Sequence, residues 1–255
     1  MSKLQLYILS SITLIVIVGL LMIDPIPQDQ AYHSFADQRT LYSIPNFWNV
    51  ISNLPFLFIG LYGVYLSTRN YAARPDWASK GIPLVLCAGM FLACFGSMYY
   101  HWAPDNHTLV WDRLPMTFMF MPVLALIVYD FLGVKAGQWA FAILVPLGAL
   151  SVFYWDYTES IGQGDLRLYA FVQFFPMLIV PIIWWFSAKK VPYGRYILYT
   201  LGWYVLTKLA EHFDFEIYEL LGFMSGHPIK HLLGGVTMIY ILKLIVAWEK
   251  ELIEV

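Results

Sequence analysis

FGSMYYHWAPDNHTLVWDRLPM, Phe95–Met116, separates two long apolar runs, and its reading decides the fold. His101 closes the first run and Asp112 stands just ahead of the second. A further stretch, SGHPIKHLLGG (Ser225–Gly235), sets His227 and His231 four residues apart at the head of another apolar run. Ionisable side chains at membrane depth cost free energy, so they require a partner or a purpose. Outward from these stretches the composition agrees with a membrane setting. The 255-residue chain is 60% hydrophobic and 13% charged, where a soluble domain carries about 25% charged residues. Its mean hydropathy of +0.63 leaves too little polar surface for solubility. The net charge of −2 argues against nucleic acid as a partner.

A spanning helix needs roughly 20 apolar residues. Eight runs qualify: Leu4–Ile23, Asn46–Leu66, Ile82–His101, Leu114–Leu132, Trp139–Trp155, Leu168–Phe186, Tyr193–His212 and Pro228–Trp248. The expected fold is all-α, a polytopic membrane helix bundle with a seven-helix core and one extra N-terminal transmembrane helix. Residues 1–24 form the leading helix, 25–45 an outer loop and 46–255 the core domain. Lys3 ahead of an apolar core resembles a signal sequence. No small-residue cleavage pattern follows in MIDPIPQDQAY, however, which favours a retained anchor. Cys87 and Cys94 share one run. Seven residues of helix separate them by roughly 10 Å, too far for a disulfide.

Short-loop Lys and Arg set orientation. Arg69, Arg74, Lys80, Lys135, Lys189, Lys190, Arg195 and Lys250 fall on one side of the eight-run topology. Arg39, Arg113, Arg167 and Lys230 fall on the other. The bias puts both termini in the cytoplasm. It also gathers His101, His227 and His231 near the outer face, which in a bacterium would be the periplasmic side.

Histidines at i and i+4 share a helix face, and neutral imidazole is a common metal ligand. The pair alone is equally well read as an interfacial and a core histidine. His101, at the same depth, supplies a third ligand. Three protein ligands with an open fourth position is the pattern of catalytic zinc. Bis-histidine haem ligation would leave the third histidine unused. Asp112 reads as a helix N-cap. At that edge it could also act as general base toward a metal-activated water. Ser97, one turn before His101, is either a small packing residue or an oxyanion donor. Lys208, Glu211 and Asp214 read as a structural salt-bridge cluster beside the site. Asp156, Glu159 and Asp165 read as a solvated loop, and His107 as exposed.

GSMYYH, WDRLPM and HPIKH, in that order on membrane helices, resemble the alkaline ceramidases. These belong to a broader superfamily of seven-helix membrane hydrolases that includes the adiponectin receptors. NFWNVISNLPF (Asn46–Phe56) is similar to the ceramidase first-helix motif, and the resemblance extends over about Asp37 to Trp248. It implies zinc held by His101, His227 and His231, with Asp112 as base and Ser97 steadying the intermediate. The reaction implied is hydrolysis of the amide of ceramide or a related lipid, reaching the site from the bilayer, to a fatty acid and a sphingoid base. Asn46 stands where the animal enzymes carry a calcium-binding Glu, and the loop offers mainly Asp37. Calcium prefers several carboxylates, so this speaks against a calcium site. WDRLPM carries Arg113 where the animal motif has Glu, and the whole looks more like bacterial members. The alternative is a non-enzymatic zinc-containing receptor or sensor of the adiponectin-receptor type.

Overall fold

In lipid every backbone N–H and C=O must be satisfied within the chain, so apolar runs of this length become helices. The computed structural model describes residues 1–187, 191 and 193–253. Among them it holds helices and no strand, a lone bridge between Leu41 and Ile44 apart. The helices are α1 (Lys3–Met22), α2 (Phe47–Ile51), α3 (Leu54–Arg69), α4 (Trp77–Trp102), α5 (Asn106–Leu132) and α6 (Val134–Ser160). After these come α7 (Arg167–Phe186), α8 (Gly194–His212), α9 (Asp214–Leu221) and α10 (Gly226–Ile253). The chain is a multi-pass integral membrane protein.

Seven of the described spans are long and apolar enough to cross a bilayer: α1, α2–α3 taken together, α4, α5, α6, α7 and α10. The sequence reading had eight, and the difference is α8. It has 19 residues, but Thr200, Tyr204, Thr207, Lys208 and Glu211 give it a polar stripe. That stripe faces an internal cavity, while Leu198, Val205, Leu206 and Leu209 face outward. Its polarity is therefore directed inward, and α8 runs between the same two ends of the bundle as α7 and α10.

Several helices outrun the apolar windows because capping, not hydropathy, sets their ends. α4 starts at Trp77, where Asp76 and Ser79 form a capping box. α5 starts at Asn106, where Asp105 accepts from the Thr108 amide at 2.6 Å and Thr108 returns a bond to Asp105. Asp105 is thus the N-cap. Asp112 is not; it lies in the second turn of α5. The bond from Thr108 holds the Asp105 carboxyl below the usual range. Two further expectations change with these boundaries. Arg113 lies within α5 and Lys230 within α10, so neither is a loop charge. Asp156, Glu159 and Asp165 are not a solvated loop either. Glu159 accepts from the Gln28 amide at 2.5 Å and from Trp155 Nε1 at 3.2 Å. Asp165 is buried and paired with Arg167 at 2.8 Å. Its hydrogen bonds with Arg167 pull the Asp165 carboxyl down to about 2. His107 is exposed, as expected.

α1 buries only Leu9 and packs against α7, with Gln5 Nε2 donating to the Phe186 carbonyl at 2.9 Å. Both ends of the described chain therefore lie at the end of the bundle opposite His101 and His227. That opposite end contains a buried ion pair, Arg74 with Glu249, joining the α3–α4 connection to α10. Arg74, read from sequence as a loop charge, is fully enclosed. Lys189 and Lys190 lie outside the described residues. Removing one partner of a buried pair leaves an uncompensated charge. We therefore expect Glu249→Leu to cost about 3–5 kcal/mol, read as a large drop in thermal unfolding temperature in detergent. The double variant with Arg74→Met should recover most of the loss. If Glu249→Leu melts like wild type, the pair contributes nothing.

Two glycines bring the functional ends together. A Cβ at Gly96 would lie 1.9 Å from the Trp111 carbonyl oxygen, so α4 and α5 touch backbone to backbone. A Cβ at Gly226 would lie 2.1 Å from the Ala210 carbonyl oxygen, which seats the start of α10 against α8. Such contacts admit no side chain.

Candidate metal centre

His101 occupies the last turn of α4. His227 and His231 occupy the first two turns of α10, with Pro228 in the first turn, where its missing N–H costs nothing. The three rings meet with centroid separations of 4.8, 4.9 and 5.1 Å. A nitrogen from each lies within 4.8 Å of the others, and all three side chains are buried. The sequence reading expected this convergence, and the structure has it.

The surroundings fit a cation. His101 Nδ1 and His227 Nε2 are buried with no hydrogen-bond partner. A buried, unsatisfied polar atom costs roughly 1–3 kcal/mol, so two together point to a ligand shared between them. His231 Nδ1 is held by Ser52 Oγ at 2.8 Å, which leaves its other nitrogen for the site. Fixing one imidazole nitrogen in this way is how outer partners orient metal ligands. Phe35 covers the centre from the loop side, its ring 4.8 Å from His101 and 4.6 Å from His227.

Several supporting residues were missed from the sequence. Ser52 lies 179 residues from His231, in the quoted Asn46–Phe56 stretch, where only its polarity within an apolar run marks it. Asn46 donates from Nδ2 to the His101 carbonyl at 2.9 Å and thereby holds the end of α4. Asp37, the acidic residue of this loop, is buried. Its carboxylate is taken by Arg39 at 2.7 and 2.8 Å.

Beside the centre lies a cavity of ≈ 210 Å³ lined by Ser97, Asp112 and His231. Ser97 reaches toward the Asp112 carboxylate across the close α4–α5 contact. Glu211 accepts from Lys208 at 2.7 Å, from Lys230 at 2.6 Å and from Tyr32 at 3.1 Å. This bears out the expected ion-pair cluster for Lys208 and Glu211, with Lys230 added. Asp214 stands apart from it. Its carboxylate accepts from the His227 amide at 2.6 Å and the Ala36 amide at 2.9 Å, pinning the head of α10 to the loop between α1 and α2. Burial, with Glu211 alongside, keeps the Tyr32 phenol well above its usual range, so it remains a neutral donor. Away from this polar end the cavity is walled by Met119, Val123, Val180, Ile197, Ile241 and Leu244. An amphipathic cavity of this kind suits a molecule with a polar head and an apolar tail.

Comparison with curated proteins returned no match. The family model described as Ceramidase matches residues 37–213. The match takes in Ser97, His101 and Asp112 and stops before His227 and His231, so it is shorter than the resemblance noted in the sequence. It nevertheless covers well over half of the chain, including most of the helices that build the cavity, and on that ground the chain belongs to the ceramidase family.

Proposed function

We propose that the protein is a zinc-dependent intramembrane hydrolase that cleaves the amide bond of ceramide or a related lipid amide. The products are a fatty acid and a sphingoid base. One observation carries this reading: two unpartnered imidazole nitrogens in a buried histidine triad, set against the polar end of a cavity that also holds Asp112 and Ser97. Membership of a family of amide-bond hydrolases supports it further.

In this reading His101, His227 and His231 hold zinc. Bound zinc supplies Lewis acidity, polarising a carbonyl and easing deprotonation of water near neutral pH. The chain's own groups do the rest. Asp112 takes the proton of the attacking water and returns it to the leaving nitrogen, so that water and amide become acid and amine. Ser97 donates to the oxygen on which charge develops. The acyl tail lies along the apolar wall beside α10. That wall runs from His231 to Leu244, roughly 20 Å at 1.5 Å rise per residue.

Residues 46–255 form the hydrolase domain, 25–45 the outer loop that covers the triad through Phe35, and 1–24 a retained anchor. Both termini lie in the cytoplasm and the site faces the periplasm of a bacterial inner membrane. The separation of Lys80, Lys135 and Lys250 from the histidine end supports this orientation.

The deciding experiment pairs metal analysis of purified protein with mass spectrometry of ceramides incubated with it. About one zinc per chain and release of fatty acid and sphingoid base are expected. Activity should vanish on chelation and return with zinc. Stoichiometric zinc with no lipid amide turned over would reject the hydrolase.

A further inference from the structure

Arg113 follows Asp112 on α5, is buried, and lines the same cavity. Its guanidinium carbon sits 4.2 Å from the Trp155 ring centroid, 4.8 Å from that of Tyr169 and 5.8 Å from that of Tyr32. Nη2 donates to Gln28 Oε1 at 2.6 Å. Nη1 is buried and has no partner. Arg113 forms no ion pair among the described residues: of the two carboxylates at this end of the cavity, Glu211 is already engaged by Lys208 and Lys230, and Asp112, its neighbour in the chain, is met by Ser97.

A guanidinium stays charged at every accessible pH. Burying it without a directly paired counter-ion is costly, and ring faces offset only part of that cost. The aromatic cage fixes the plane of the fork, and buried Nη1 is left with no hydrogen-bond partner. Such a planar fork matches carboxylate and phosphate oxygens. Its position is also informative. Gln28 and Tyr32, which surround it, come from the outer loop. The apolar wall lies the other way, toward Leu244. Arg113 therefore lies at the polar end of the cavity, away from its apolar wall.

We propose that Arg113 is a specificity-determining anion site. It takes an oxyanion, carboxylate or phosphate, carried on the amine half of the lipid amide, so that acidic lipid amides are preferred to neutral ones. The proposal rests on the reading of this cavity as a lipid-amide site.

The test measures binding to the full chain in detergent, in an Asp112→Asn background so that no ligand is consumed. The probes are an N-acylglycine, an N-acylethanolamine and a free fatty acid of equal chain length. The acidic amide should bind about tenfold tighter than the neutral one, the scale of one charge-assisted hydrogen bond. In Arg113→Gln that gap should close while affinity for the N-acylethanolamine holds. Equal affinity for the two amides, with Arg113 intact, overturns the proposal, and this arm does not depend on Arg113→Gln folding. A preference confined to the free fatty acid also overturns it, because the anion would then be the product's own carboxylate. If wild type hydrolyses neither ceramide nor these amides but the acidic preference holds, the hydrolase reading fails and the anion site stands.

Discussion

Asp112→Asn is expected to lower turnover of the lipid amide by about 10²–10⁴-fold, the usual contribution of a positioned general base. Zinc content and lipid binding should remain close to wild type. The substitution keeps the shape of the side chain and its ability to meet Ser97, so it removes proton transfer and little else. A fall in kcat with KM unchanged would mark an interaction made only in the transition state. Ser97→Ala should cost less than Asp112→Asn or at most about 10²–10³-fold, as for the loss of one oxyanion donor. The double variant should fall short of the product of the two effects, because neighbours acting on one centre are not additive. Near-normal turnover in Asp112→Asn would remove the base assignment. Loss of zinc in that variant would instead make Asp112 part of the metal-holding structure.

Asp112 also shows where the sequence was legible and where it was not. Its chemical type and its distance from His101 were readable, as were the i, i+4 pair and the depth shared by all three histidines. These are local or topological properties, carried by spacing and by the alternation of crossings. Its helix position was misread, because apolar windows end where polar turns begin, while the Asp105–Thr108 capping box starts α5 earlier. The same limit applied to Arg113 and Lys230. In a hydropathy profile a buried cation at a helix end looks like a loop charge, and only packing separates Arg113 in its aromatic cage from Arg39 at the surface. Arg74, enclosed with Glu249 175 residues away, was unreadable for the same reason. Pairings across such distances have no period and no spacing.

The loop between α1 and α2 gains a role from these contacts. Phe35 lies over two histidines, Ala36 and His227 share Asp214, Tyr32 joins Glu211, and Gln28 reaches Arg113. Residues 25–45 thus supply walls and fastenings to a site whose proposed reacting groups are all on helices. A site on helices is held more rigidly than one on loops. The loop's contacts fasten one end of the cavity.

His231→Ala should abolish zinc binding and activity together, since two imidazoles cannot hold a catalytic zinc against competing water as three do. The more discriminating partner experiment is Ser52→Ala. Ser52 touches no proposed reacting group; its hydroxyl holds His231 Nδ1 at 2.8 Å. Losing such an outer partner typically costs 10–100-fold in metal affinity, so zinc should dissociate at roughly 10–100-fold lower chelator concentration while saturating zinc restores most activity. Ser52→Thr keeps the hydroxyl and should retain affinity if the added methyl is accommodated. The contrast is what a metal centre requires and a plain packing cluster does not. If the triad were only buried core, Ser52→Ala would change melting temperature equally with and without zinc. Zinc affinity unchanged in Ser52→Ala would show that His231 needs no partner to orient it. Zinc still bound in His231→Ala would take that histidine out of the metal set altogether.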